Sequence, residues 1–345
     1  MADQVDLVRA VEAAVRAPSM HNSQPWRFRL GHDYIELRAD PGRRSPATDP
    51  TGWAVRLAGG AALLNLRLAV AVAGVRPAVR LLPEPAEPEL LAVVTLGAAG
   101  PPSPAEQRLA AAIWRRRSHR EGFWPDSVPA EARSRLTAAA QHEGGWLELL
   151  IGTGPANAVA QLSQAADELL VRQPDYRAEF AAWGRPPGSE AADGVPVRPA
   201  PPEAQPQDYF PARPYAGGAG GTAPADPGSQ PLVAVLGTVG DTAGDQLVAG
   251  QALQRVLLTA TDAQLVAALV SQPIEVPGIQ EQLRLALGSS GTPQMLLRLG
   301  YGSPGPVTGR RPAADVIDEA APVRVRSART GVPAGSGREA LLAPR

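Results

Sequence analysis

Residues 16–28 read RAPSMHNSQPWRF, and the rest of the chain is arranged about them. A helix entering this run stops at Ala17-Pro18, because proline fixes its own backbone and disfavours helix in the residue before it. A polar cluster of Ser19, His21, Asn22 and Ser23 follows, and then Gln24-Pro25-Trp26 opens an apolar strand. Such a run is too polar for a core and too specific for a spacer. It leaves amides and hydroxyls at an element boundary, where a flat polar ligand can be read.

Working outward, residues 3–17 predict a helix with Val5, Val8, Val11, Ala14 and Val15 on one face. Residues 26–30 and 34–39 predict two strands joined by a turn at 31–33. A Pro/Gly-rich loop over 40–52 leads to 57–73, apolar almost all round and so a buried central helix. Strands are expected at 79–82 and 90–97, and small residues and prolines over 98–104 close the first unit. The second unit predicts helices at 104–117, 129–140 and 156–171, a strand at 146–151, then a strand at 232–237, helices at 246–265 and 279–287, and a strand at 294–300. The proline-rich stretch 172–231, with its GGAGG run, reads as a disordered linker by composition. Its aromatics, Tyr176, Phe180, Trp183, Tyr209, Phe210 and Tyr215, favour a functional lid instead. The tail over 325–345 is expected to be disordered.

Residues 60–69, GAALLNLRLA, match 250–259, GQALQRVLLT, at Gly, Ala and Leu positions. Each run is followed downstream by an apolar strand ending in Leu-Gly, at Leu96-Gly97 and Leu299-Gly300. This order points to two related halves, 1–100 and 101–324, the second carrying the lid as an insertion.

Composition excludes several chemistries. The chain has 345 residues and a net charge of −1, from 33 basic and 34 acidic residues, so no field draws nucleic acid or an anionic membrane. Every basic residue apart from histidine is arginine, and cysteine is absent. Lysine Schiff bases, disulfides and thiolate sites are therefore excluded. No signal peptide and no uninterrupted apolar run of roughly 20 residues is evident, so a soluble cytoplasmic protein is expected. The four histidines lack metal-ligand spacing, no nucleophile elbow is present, and Gly152–Asn157 and Gly237–Gly240 miss the GxGxxG pattern. Asp245, Asp262 and Glu275 have no paired carboxylate. A chain without its own catalytic group is one in which a cofactor carries the chemistry.

Arg115-Arg116-Arg117-Ser118-His119-Arg120 has two readings. Forked guanidiniums with a hydroxyl can surround a phosphate, or the run is a solvated helix end, where positive charge is favoured. Arg310-Arg311-Pro312 is a similar pair that could close the same phosphate from the other side.

Residues 18–26, Pro18-Ser19-Met20-His21-Asn22-Ser23-Gln24-Pro25-Trp26, resemble the PSxxNxQPW stretch of the flavin-dependent nitroreductase superfamily. Residues 116–123, RRSHREGF, resemble its RRSxRxF phosphate motif. The motif order is inverted relative to ordinary members and, with Asp40–Arg44, Asp49-Pro50 and RAEFAAW at 177–183, resembles the Acg-like branch, in which a nitroreductase dimer is collapsed into one chain. The resemblance implies an α+β nitroreductase-like fold, with two halves forming an internal pseudo-dimer of antiparallel-rich sheets. It implies that Arg116, Ser118 and Arg120, with Arg310 or Arg311, hold the FMN phosphate, while Pro18, Ser19 and Asn22 approach the flavin ring. Pro273-Ile274-Glu275-Val276 resembles the family's PIEG segment, whose backbone NH faces flavin N5; Val276 replaces the glycine. Trp53 stands where Acg-like sequences often have arginine. The implied function is hydride transfer from NAD(P)H through FMN to an electron-poor small molecule, by a monomer. The alternative is an FMN-storing protein whose lid-covered flavin turns over little NAD(P)H.

Overall fold

In the computed structural model, which describes residues 5–186, 188–197, 210–211, 231–305 and 307–318, the chain opens with α1 (Leu7–Ala14), capped by the Asp6 carboxylate. Next come β1 (Trp26–Leu30), β2 (Tyr34–Ala39), α2 (Trp53–Val72), β3 (Val75–Leu81) and β4 (Leu90–Ala99). The second half begins with α3 (Pro104–Ile113), α4 (Ala130–His142), β5 (Trp146–Leu150), α5 (Thr153–Val171) and α6 (Pro174–Trp183). The short strands β6 (Gly184–Arg185) and β7 (Val195–Pro196) precede β8 (Leu232–Thr238), α7 (Ala243–Asp262) and β9 (Val266–Val270). The last elements are α8 (Gln272–Glu275), α9 (Pro277–Ala286), β10 (Thr292–Gly300), α10 (Ala313–Val316) and β11 (Ile317–Asp318).

In β1 the alternation WRFRL turns Trp26 and Phe28 fully inward, each stabilising the fold by about 1.5–3 kcal/mol. Arg27 and Arg29 face outward, to Asp318 and Glu36. The β1–β2 hairpin pairs Phe28 with Leu37 and Leu30 with Ile35. One sheet runs β11-β1-β2-β4-β3 and the other β5-β8-β10-β9. Without β11, the two share one order: first, second, fourth and third strand, all antiparallel, with a 20-residue helix between the second and third.

Those two helices, α2 and α7, cross between the sheets, and the matching runs of sequence meet there. A Cβ on Gly60 would lie 2.2 Å from the Leu247 carbonyl oxygen, and one on Gly250 would lie 2.1 Å from that of Leu57. Only glycine permits the approach. Farther along, Gln254 donates to Asn65 Oδ1 at 2.7 Å, and Glu143 bridges Arg67 and Arg255 at 2.6 Å each. By length and composition α2 could cross a membrane, but 78% of its apolar window is buried inside the protein. Its apolarity serves the core.

The structure corrects several expectations. The central helix starts at Trp53, because Gly52 adopts a left-handed conformation (φ 78°) that ends the preceding turn. The helix expected over 104–117 stops at Ile113, since Ser118 bridges Ala267 and His119 N donates to Ala267 O at 2.8 Å, pulling the arginine run into an extended path. Strands β9 and β11 were not expected. The linker reading fails for 174–197, where α6 buries Tyr176 and Phe180 completely and β6 pairs with β7. Phe210 is also buried, whereas Tyr209, Tyr215, the GGAGG run and the 325–345 tail lie outside the described residues.

Candidate functional site

The turn after α1 is under local strain. His21, Asn22 and Gln24 all have φ between 53° and 55°, left-handed values that cost non-glycine residues of order 1–3 kcal/mol each. The surroundings hold them there. Gln24 N donates to Ser19 Oγ at 2.9 Å, and Asn22 Nδ2 donates to the carbonyls of Gly194 and Gly309, each at 3.1 Å. Gln24 Nε2 reaches Ala192 O at 2.7 Å, and its Oε1 accepts from Arg311 N at 2.8 Å. The polar stretch therefore fastens both the 192–194 segment and the 309–311 segment.

The extended path of residues 115–120 brings the arginine run against this turn. Arg116, only 4% exposed, donates through Nη2 to Arg16 O at 3.2 Å. Its Nε and Nη1 are buried and have no hydrogen-bond partner among the described residues. Half-buried Arg310 donates to Ala17 O at 3.4 Å and to Thr308 Oγ1 at 2.7 Å, and its Nε also lacks a partner there. Burial, and then the charges of Arg310, Arg117 and Arg120, push Arg116 down to about 9. Burial, and then Arg16, Arg117 and Arg120, push Arg310 down to about 10. The neighbouring charges that act most on both are all arginines. A dianion there would meet forked donors without displacing an internal partner.

The other predicted residues are distributed unevenly. Arg311 turns away from this corner, with Nη1 3.9 Å from Asp40 Oδ2 and Nη2 bonded to Asp315 O. Ser118 is adjacent through its backbone, and Arg120 is exposed. His119 is buried, which holds its pKa below the usual histidine range. Glu275 N is tied to Ser271 O at 3.2 Å, while Val276 packs on Leu170, Tyr176 and Phe180. Trp53 donates to Gln294 Oε1 at 2.7 Å. Of the lone carboxylates, Asp245 closes a capping box with Thr242 and Asp262 pairs with Arg135.

A second group, which the sequence did not reveal, joins α6 to the loop before α2. Glu179 accepts from Ala47 N at 2.8 Å, from Thr48 N at 3.3 Å and from the Thr48 hydroxyl. His21 Nε2 lies 4.0 Å from the same carboxylate, and the Phe180 ring meets the imidazole edge-on at 4.2 Å. Trp183 donates to Ser45 Oγ at 3.1 Å. These partners are 131 or more residues apart in most cases, so no local pattern announces them. Arg16 belongs to the arginine corner by the same long-range logic.

No family model matches the chain. It is 34% identical over 319 residues to the Mycobacterium tuberculosis protein named "Putative NAD(P)H nitroreductase Rv3131", covering 88% of this chain and 89% of that one. The chain belongs to the nitroreductase superfamily. Among nitroreductase relatives, the M. tuberculosis protein named for acg is 30% identical over 330 residues, spanning 93% of this chain and 96% of that protein. A solved nitroreductase with bound FMN from Bacteroides fragilis superposes on 59% of this chain and 92% of its own, at 13% identity and a TM-score of 0.37. The nitroreductase chain has an α+β fold, in which Arg116 and Arg310 reach the Arg16 and Ala17 carbonyls just ahead of the 18–26 stretch.

Proposed function

We propose that this protein is an FMN-dependent oxidoreductase using NAD(P)H. The observation that carries the reading is the arginine corner: buried guanidinium nitrogens without partners among the described residues, repelled by other arginines. Bound there, FMN would supply two-electron transfer between a nicotinamide and an electron-poor acceptor such as a nitro compound or quinone. Arg116 and Arg310 would grip the phosphate from two sides, with Ser118 and Arg120 beside them. Arg311 Nη1 is likewise buried without a hydrogen-bond partner among the described residues, but the Asp40 carboxylate 3.9 Å away already answers its charge, so Arg310 is preferred here. Pro18, Ser19 and Asn22 would border the ring. Asn22 Oδ1, buried and without a hydrogen-bond partner among the described residues, is the acceptor this turn has to spare. Glu275 and Val276 would complete the wall on the α8 side, with the α6 segment excluding water. The two sheets of one strand order, joined where Gly60 meets Gly250, support a monomer that works as its own internal pseudo-dimer.

Purified protein should show a flavin spectrum or take up FMN on titration. Arg116→Ala should weaken FMN by about 1.5–3 kcal/mol, the worth of a charge-assisted bond, or roughly 10- to 150-fold. Unaltered affinity would sink the phosphate assignment. The Glu179 anchorage of α6 favours a second reading, in which FMN is stored under a closed cover. Anaerobic mixing with NADPH separates the two: rapid bleaching supports turnover, and a flavin left oxidised supports storage.

A further inference from the structure

The arginine corner holds more positive charge than one flavin phosphate needs. A phosphate monoester carries at most about two negative charges, and Arg116, Arg310 and Arg120 already supply three positive ones. Arg16 and Arg117 remain. Arg16 is near enough for its charge to act on both Arg310 and Arg117. Its guanidinium sits over the Trp114 ring at 5.0 Å, and its Nε is buried without a hydrogen-bond partner among the described residues. Arg117 Nη1 donates to Trp114 O at 2.9 Å and Arg116 O at 2.8 Å, which holds its head at the backbone of the same tryptophan. Trp114 itself is 46% exposed, which leaves indole surface open for a second group beside Arg16.

An exposed indole with one surplus guanidinium over its ring and a second held at its backbone has the chemistry that takes a nucleotide. The base adds to the stack and the phosphate meets the forked donors. We propose that Arg16, Trp114 and Arg117 form a second subsite, which takes an adenosine phosphate next to the flavin-phosphate corner. Two molecules of the proposed reaction class carry that group: a phosphorylated nicotinamide dinucleotide, and a flavin that keeps its own adenylate. The subsite rests on the flavin-phosphate reading for its neighbour, but its own ligand is measurable alone.

The test is calorimetric titration of the full chain, loaded with FMN, with adenosine 2′,5′-bisphosphate. Trp114→Ala should weaken binding by roughly 5- to 150-fold, the range of one base–aromatic stack. Arg117→Ala should act in the same direction, and in Trp114→Ala, which removes no charge from the arginine corner, FMN affinity should stay within about twofold. A second arm compares FAD with FMN on flavin-free protein. An FAD advantage that vanishes in Trp114→Ala assigns the subsite to the flavin's adenylate. No FAD advantage, together with bisphosphate binding to the FMN-loaded chain, assigns it to NADPH. Should a variant fail to fold, the unsubstituted chain still decides, because plain adenosine must bind far more weakly than the bisphosphate. Bisphosphate binding that is undetectable at millimolar concentration, indifferent to the phosphates or unchanged in both variants overturns the proposal. Failure to take up FMN would count against the flavin site alone.

Discussion

Arg16 and His21 lie on one short stretch, yet their surroundings are opposite. At Arg16 the chain gathers Arg116, Arg117, Arg120 and Arg310, and the charges acting most strongly on Arg116 and Arg310 are again arginines. At His21 the polar groups close on one another: Glu179 takes three donors from Ala47 and Thr48, and Phe180 and Trp183 complete the packing. Both corners depend on the strained turn between them. Buried charge facing only like charge is a deficit that folding tolerates when a ligand makes it good. Charge matched within the chain shows where the chain has sealed itself.

The largest disturbance should come from the frame that both corners share. Gly250→Ala would place a methyl 2.1 Å from Leu57 O and force α2 and α7 apart, at a cost of about 3 kcal/mol or more. Chemical denaturation should show that loss, and the contrast between corners should blur as FMN uptake and protease resistance of 172–197 fall together. A variant as stable as the parent would show that the crossing is not tight.

Next in size is Glu179→Ala, which strands the amides of Ala47 and Thr48 and should cost about 1–3 kcal/mol. Here the corners should separate: limited proteolysis within 172–197 should quicken, while FMN affinity changes little. Glu179→Gln, which keeps acceptor oxygen, should recover part of the loss. Unchanged proteolysis in both variants would refute the anchoring role.

The smallest effect sharpens the comparison from the other side. Inorganic phosphate at ten times its Kd should stabilise the flavin-free protein by about 1.4 kcal/mol, read as a higher melting temperature. Arg116→Ala should lose most of this gain relative to chloride of equal ionic strength. Arg116 and Arg310 sit at about 9 and about 10 in the fold, well below the range of a free arginine. Between those values and that range the folded chain binds fewer protons than the unfolded one, so ligand-free stability gains from this pair as pH rises. The penalty is fully present at neutral pH, and the benefit of phosphate should shrink above pH 9. A gain that persists undiminished in Arg116→Ala would show a general salt effect.

Much of the frame was legible from local pattern. The apolar pattern in 26–30 and 34–39 placed both strands of the first hairpin, and the match of 60–69 with 250–259 pointed to two related halves without showing that Gly60 and Gly250 meet. The gathering of arginines was readable from the run Arg115–Arg120, though its spacing left a phosphate cradle and a solvated helix end both open. That Arg311 lies near Asp40 while Arg310 lies among arginines was not readable, because it depends on long-range packing. The end of α3 was hidden as well, since an alanine-rich helix gives no stop signal when Ala267, far along the chain, captures Ser118 and His119. Composition misread 174–183: prolines around it suggested disorder, whereas Tyr176 and Phe180 at helical spacing fill a small core of their own.

Strand β11 has a consequence for how the protein is made. Ile317 and Asp318 cover the open edge of β1, and Asp318 pairs with Arg27, 291 residues earlier. At roughly 5–20 residues per second on the ribosome, that edge waits about 15–60 s for its partner. Arg310 arrives only shortly before. A nascent chain therefore completes the arginine corner and the cover of its first sheet close together, once residues 310–318 have emerged. The exposed interval is one in which β1 can pair with another chain.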